Sequence, residues 1–598
     1  MANLVTTLTD PMNIAAVLAQ APTARRAAAD PPLYLPPNFQ STPVFTNLTA
    51  PMALAFAPDG RIFVAEQAGL IKVFDNLSDT TPDIFADLRT RVQGYWDRGL
   101  MSLALDPQFA DPAHRYVYVA YALDAPIGGT PPVWNDQCGD APTTDGCVIG
   151  GRVSRLKVDP NGNTQTGPEQ VLIEDWCQQF PSHSLGNIAF GPDGYLYVSA
   201  GEGAEFGGNI DYGNLGDPKN GCGDPPGTAG TPLTPPTAQG GALRSQSPRR
   251  SLNEKWSLDG SIIRVDPNTG AGVSGNRFFS STNINARRII AWGMRNPFRF
   301  TFRPGTNELW LGDVDWYAYE ELNVIPDVTA GAEENFGWPC YQGPEIQPGF
   351  NNAGLTSCET LSQGNVDFPF FTYKHAEELV PGDGCGTNRS SITGVAFYTG
   401  NSYPSTYKNA LFIGDFSRNC IWYMRPDVNG TPDPSTAKLF MRGVQGTDSG
   451  GPVQIITGPG GDLFYVDYSN GDIYRVRYFP GNEPPIAEAS ADPAYGKTLP
   501  LHVNFSSEGS SDPDAGDTLS YAWDLDGDGL FDDSTDPNPV MTYNSIDVFE
   551  AQLKVTDNHG LSTVSSPIKI APGHEPPYLH IGIYDDCLEE VPCWSDGR

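Results

Sequence analysis

A chain of 598 residues with 65 Gly, 55 Pro and a formal charge of −35 is too long for one small core. It is also too acidic for a nucleic-acid partner, whose phosphates require clustered Lys and Arg. The 71 carboxylates serve solubility or calcium binding. Many short alternating apolar runs and few segments of helical period indicate an all-β protein rich in turns. No run of 18 apolar residues occurs, so no membrane-spanning helix is expected.

Residues 1–38 are Ala- and Pro-rich and are expected to be disordered; they lack the basic and continuous apolar regions of a secretory signal. From Phe39 a module recurs, consisting of an alternating strand, a P-D-G-like turn and a second alternating strand. Its copies start at Met52, Leu100, Leu185, Phe298, Gly394 and Val453. The small turn residues supply positive φ at each hairpin. A four-stranded unit cannot bury both faces alone, whereas six arranged radially cover one another. This predicts a six-bladed β-propeller over 39–480. The long Gly/Pro/Asn-rich insertions at 204–255 and 328–390 are expected to build a functional face.

A Pro-rich linker from Gly481 opens a different pattern, with SSEGSSDPDAGD and YAWDLDGDG as its marked stretches. It reads as a seven-strand sandwich over 481–572 and resembles the polycystic-kidney-disease (PKD) type of immunoglobulin-like domain. Such a module suits polysaccharide or protein contact. A tail, 573–598, carries Cys587 and Cys593. The ten cysteines form neighbouring pairs without C-x-x-C clusters, which favours disulfides in an extracellular or periplasmic compartment over metal thiolates. Nearest-neighbour pairing is expected, such as Cys138 with Cys147 and Cys340 with Cys358.

Three clusters can carry chemistry. His183 precedes a blade strand, where it either caps a loop or faces the central channel as a general base. Glu202 lies at the far end of the same hairpin and can return beside it, fixing the tautomer. Arg295 and Asn296 stand at a strand entrance, where the arginine forms a surface ion pair or presents its planar fork to carboxylate or quinone oxygens. The loop GDVDWYAYEELN offers Asp313, Asp315, Glu320, Glu321 and several carbonyls, the oxygen donors calcium prefers, and is otherwise a solvated acidic loop.

HSLGNIAFGPDGYLYVSAGE, GMRNP, GDVDWYAYEELN and DRGLMSLALDPQF together resemble the soluble glucose/sorbosone dehydrogenase family. ENFGWPCYQG is similar to the branch that includes hedgehog-interacting-protein-like propellers. The resemblance implies pyrroloquinoline quinone (PQQ) and calcium as cofactors, a sugar or oligosaccharide substrate and an external electron acceptor. His183 would be the base, Glu202 its partner where the family has an aspartate, and Arg295 and Asn296 the contacts to the quinone, Arg295 also stabilising the anion formed when hydride arrives. The backbone carbonyls of Asp315 and Trp316 would hold the catalytic calcium. The chain departs from the family at Asp97, where a glutamine is usual, and at Ser182, where an aspartate precedes the histidine. Ser417 and residues 450–453 replace the lysine and arginines that grip the carboxylates of the quinone. Arg418, Lys374 or arginines in 244–250 are the available substitutes, and Tyr373 and His375 are further pocket candidates. The alternative to a sugar dehydrogenase is a non-catalytic carbohydrate- or protein-binding propeller. In the sandwich, Asp524, Asp526, Asp528 and Asp532 form an EF-hand-like run that suits weak structural calcium or a solvated turn.

Overall fold

The computed structural model describes residues 34–160, 162–443, 451–514 and 516–574. The expectations for residues 1–33, Gly450, Cys587 and Cys593 lie outside these. The chain divides into two compact units at Tyr478.

The first unit is a propeller of six antiparallel four-stranded sheets. The first strands of the sheets are Pro51–Phe56, Leu100–Leu105, Leu185–Phe190, Pro297–Phe302, Ile392–Phe397 and Pro452–Thr457. Each lies in one of the six recurring motifs, and each packs against the first strands of its neighbours round the axis. The motif is therefore the channel-lining part of a blade. Gly60 (φ 97°) and Gly194 (φ 78°) occupy the left-handed turn position of their P-D-G hairpins, which a side chain would strain. The ring closes with a strand that no repeat signals. Phe39–Phe45 pairs with Asp472–Tyr478, so the last blade takes its outer strand from the start of the propeller.

All six first strands carry a register shift near their first residue. Such bulges twist the strand and redirect the residues at its mouth. The antiparallel register then sets which loops meet. Leu185 pairs with Ala200, so the segments holding His183 and Glu202 leave the third blade at one end. Pro297 pairs with Asp313, which places Arg295 and Asn296 beside Asp313 and Asp315 in the same way. Deeper in the channel, Arg299 donates to the carbonyls of Gly186 (3.2 Å), Met52 (2.8 Å) and Met101 (3.0 Å), joining four blades. Burial without a carboxylate lowers its pKa to about 9.

The two long insertions share an apolar core that includes Ala204, Leu243, Trp338, Phe350 and Leu355. They contain a 3-10 segment, Gly241–Arg249, and two short helices, Pro348–Asn352 and Thr356–Glu359. Disulfides join Cys138 to Cys147, Cys177 to Cys222, Cys340 to Cys358 and Cys385 to Cys420, each to its neighbour in sequence.

The second unit is a sandwich of a three-stranded and a five-stranded sheet around Trp523, Val503, Leu553 and Ile570. Among the described residues it has eight strands rather than seven, because 490–496 splits into Ser490–Asp492 on one sheet and Tyr495–Gly496 on the other.

Candidate active site

His183 and Glu202 meet inside the channel mouth. The imidazole Nδ1 lies 3.0 Å from Glu202 Oε1, and the two side chains are 5% and 1% exposed. The second carboxylate oxygen accepts from Trp338 Nε1. The indole is fixed in turn by its backbone: its N–H donates to Gly293 O, and its carbonyl accepts from Ser245 Oγ (2.9 Å) and Gln246 Nε2 (2.8 Å). Glu202 N donates to Arg295 O (2.9 Å), which ties the third blade's mouth to the fourth's.

Burial and then the charge of Arg295 hold the His183 pKa well below its usual value, against an opposing pull from Asp97. The imidazole is therefore neutral at neutral pH. Burial pushes the Glu202 carboxyl up to about 7, opposed by Arg295, the Trp338 N–H and Arg244. With Glu202 ionised, Nδ1 carries the proton and Nε2 keeps its lone pair. Among the described residues Nε2 has no hydrogen-bond partner, and it is not sealed off, so this nitrogen can accept a proton.

Asp97 and Ser182, the two departures in this region, bond to each other. Asp97 Oδ2 accepts from Ser182 Oγ (2.9 Å) and from His183 N (2.9 Å). The aspartate thus supports the strained turn at His183 (φ 51°) from the facing loop. Its other oxygen, Oδ1, is buried without a partner.

Arg295 Nη1 donates to Val314 O (2.9 Å) and Asp315 O (2.8 Å), and its guanidinium lies 5.7 Å from the Trp338 ring centre. The carbonyl that the sequence assigns to calcium is thus held by an arginine. Asp313 accepts from Arg295 N (3.0 Å) and Asn296 N (2.6 Å). Asp315 Oδ1 takes Trp316 N (2.8 Å), while Oδ2 is buried and unpartnered. Burial, then the Glu321 charge, raises both Asp313 and Asp315 well above the usual carboxylate range. Of the oxygens of Asp313, Asp315 and Glu321 only Asp315 Oδ2 is unpartnered, since Glu321 accepts Gly343 N (2.6 Å) and Asn323 Nδ2 (2.9 Å), so a divalent cation would start from that oxygen and share the others. Asp315, the Trp316 carbonyl and Glu321 are the donors that would hold it.

The residues that would grip a tricarboxylate do not fit. Ser417 Oγ bonds Ser391 Oγ at 2.8 Å. Arg418 is used by Ser390 Oγ and the carbonyls of Lys374 and Glu377. Lys374 pairs with Glu377 outside. Arg244 is buried on the carbonyls of Cys177, Gly203 and Gly241, and Arg249 and Arg250 also donate to backbone carbonyls. Tyr373 and His375 are taken by Asp415 (2.7 Å) and Glu320 (2.7 Å). The reacting edge of a quinone would therefore find Arg295 and Asn296, but its carboxylates would find none of Arg418, Lys374, Arg244, Arg249 and Arg250 free.

In the sandwich, Asp524 and Asp526 gather with Asp533, and Asp512 with Asp517 and Asp557. Asp528 instead accepts Leu530 N at 2.8 Å, and Asp532 is exposed. Asp533 joins the group because its carboxylate accepts from Leu525 N (2.6 Å) and Asp526 N (3.1 Å).

A six-bladed propeller with a buried His–Glu pair at its mouth and an arginine beside it defines a class of channel-site propellers. Residues 48–216 and 243–475 match the family described as Glucose / Sorbosone dehydrogenase, and residues 482–571 match the PKD domain. The chain belongs to the glucose/sorbosone dehydrogenase family, with an appended PKD domain. It is 25% identical over 470 residues to the HIPL1 protein of Arabidopsis thaliana, covering 70% of this chain and 59% of that one. To the aldose sugar dehydrogenase YliI of Escherichia coli it is 25% identical over 239 residues, 39% of this chain and 55% of the relative. The chain thus spans little more than half the length of these curated relatives. A crystal structure of a glucose dehydrogenase superposes with a TM-score of 0.51 at 17% identity, covering 74% of this chain and all of that one, which shows a shared fold.

Proposed function

We propose that the propeller oxidises a hydroxyl of an aldose or related sugar, with His183 as the base. The supporting observation is the His183–Glu202–Trp338 chain of hydrogen bonds, which leaves Nε2 unbonded. His183 Nε2 takes the hydroxyl proton, and ionised Glu202 stabilises the imidazolium that forms. PQQ, when bound, supplies the two-electron acceptor for the carbinol hydride. Arg295 and Asn296 would orient its reacting edge, and calcium on Asp315, Trp316 and Glu321 would add positive charge there. Oxidation also needs an external acceptor to recover the electrons. The disulfides favour an extracellular or periplasmic setting. No helix among the described residues is long and apolar enough to cross a membrane. The sandwich is proposed as a contact module for polysaccharide or protein, and its Asp524–Asp526–Asp533 group as a weak calcium site.

The missing cations favour a second reading, a carbohydrate- or protein-binding propeller that has lost the quinone. The two separate on reconstitution with PQQ and calcium, followed by dye reduction with a panel of aldoses. Turnover that disappears in His183→Ala, with quinone affinity retained, supports the dehydrogenase. Absence of quinone binding at micromolar concentration refutes it.

A further inference from the structure

Around the dyad lies a collar of aromatic side chains that proton transfer does not require. One arm runs outward from His183. Phe206 stands edge-on to the imidazole at 6.3 Å, Trp96 edge-on to Phe206 at 5.4 Å, and Tyr95 stacks on Trp96 at 5.3 Å. The other arm runs from Glu202 through Trp338 to Trp316 (5.9 Å) and Tyr317 (4.6 Å). The arms approach where the Tyr317 hydroxyl meets Gly208: a Cβ there would lie 2.8 Å from it. The rings come from loops 94–98, 203–213 and 314–318 and from the 328–390 insertion. Tyr317 is 47% exposed, and Tyr95, Trp96 and Phe206 are half-buried.

The collar is built and held. Trp96 adopts φ 57°, unusual for a bulky side chain and costing on the order of 1 kcal/mol or more. The Gln67 amide clamps that turn by donating to Trp96 O and to Arg98 O (3.0 Å), while its oxygen accepts from Tyr468 (2.7 Å). The Phe206 loop is fixed by Glu205, which accepts Gly207 N (2.6 Å) and Asn209 N (2.9 Å), and by Asp211, which accepts Gly213 N (2.9 Å). Strain maintained by a clamp, on rings that keep part of their surface exposed, indicates a ligand-facing surface.

The charges nearby select the ligand. Asp97 and Glu205 border the rings as acids, while Arg98 and Arg244 are spent on backbone carbonyls. Both carboxylates are already bonded to the chain, Asp97 to Ser182 and His183 N and Glu205 to Gly207 N and Asn209 N, so an anionic ligand would find no spare cation in Arg98 or Arg244. A neutral polyol needs no cation and offers its C–H faces to the rings.

We infer that the collar is a stacking subsite for a neutral oligosaccharide, receiving the sugar units that follow the one at His183. The preferred substrate class is then a neutral saccharide chain and not a free monosaccharide. Which unit is oxidised rests on the proposed function, whereas binding does not.

The test is fluorescence and calorimetric titration of the full chain, without quinone, with neutral hexaoses (β-1,4-glucan, β-1,3-glucan, xylan and mannan), with glucose and with hexagalacturonate. At least one neutral hexaose should bind ten or more times tighter than glucose, and hexagalacturonate should not bind. Tyr317→Ala and Trp96→Ala should each weaken the hexaose about tenfold, with Trp96→Phe restoring most of the loss. Tyr317 is exposed, so its variant reports on the subsite even if Trp96→Ala fails to fold. Equal affinity for glucose and every hexaose, unchanged affinity in Tyr317→Ala, or preference for the uronate overturns the inference. Hexaose binding with no turnover after quinone loading supports the subsite and counts against the dehydrogenase reading alone. Glucose turnover without hexaose binding does the reverse.

Discussion

Glu202→Gln separates the electrostatics of the dyad from its shape. The glutamate accepts on both oxygens, from His183 Nδ1 and from Trp338 Nε1. A glutamine must give its carbonyl to the indole N–H, which can only donate, and so presents its NH2 to Nδ1. Nδ1 then becomes an acceptor, Nε2 carries the proton, and the base is lost although every heavy atom stays in place. A wrong tautomer of this kind costs on the order of 10³- to 10⁴-fold in kcat in catalytic histidine systems. The same change stabilises the fold. Burial raises the Glu202 carboxyl from 4.5 to about 7, so folding favours the protonated form. That contribution is complete below about pH 4.5 and is lost as the pH climbs through about 7. At about 1.4 kcal/mol per pH unit, the ionised wild type forgoes about 3 kcal/mol at pH 8 and under about 1 kcal/mol at pH 5. Thermal unfolding at both pH values, with steady-state dye reduction, reads both effects. Glu202→Gln should unfold at higher temperature than wild type at pH 8, with a much smaller difference at pH 5, and be nearly inactive. An active variant, or one without extra stability at pH 8, refutes the assigned hydrogen-bond directions.

In the wild type, kcat/KM should rise with pH through an apparent pKa near 7 as Glu202 ionises, and Trp338→Phe should move that limb about one pH unit higher by removing an N–H that lowers the Glu202 pKa. Calcium at about one hundred times its dissociation constant should stabilise the protein by about 2.7 kcal/mol. EDTA should reverse this, and Asp315→Asn should lose the part of the gain that belongs to the propeller. Ser417→Lys should tighten PQQ binding about tenfold in a fluorescence titration, because one charge-assisted contact is worth about 1.5 kcal/mol or more. Unchanged affinity would place the carboxylate grip elsewhere.

The dyad was legible because hairpin register brings residues flanking a P-D-G turn to one end of a blade, and His183 and Glu202 flank it. The blades were legible for the related reason that alternation and turn chemistry are local. What escaped depends on contacts between distant segments. Trp338 lies in a motif that signals kinship, but its bond to Glu202 crosses 136 residues, which no periodicity encodes. The closing strand, Phe39–Phe45, has no hairpin partner beside it in sequence. Asp97 and Ser182 read separately as losses, yet they form one hydrogen-bonded unit around His183. Arg418 and Arg244 read as spare cations, and only their burial on backbone carbonyls shows that they are committed.

The pairing of Phe39–Phe45 with Asp472–Tyr478 also governs the order of manufacture. During synthesis the first-made strand waits with an open edge until the far end of the propeller has emerged, since its partner is the last part of the ring to leave the ribosome. Early blades can fold and form their own disulfides meanwhile, but the ring around His183 becomes continuous only at that final pairing. A chain stopped short of Tyr478 would therefore keep five blades and the chemical groups of the site without the circular enclosure that holds them facing one another.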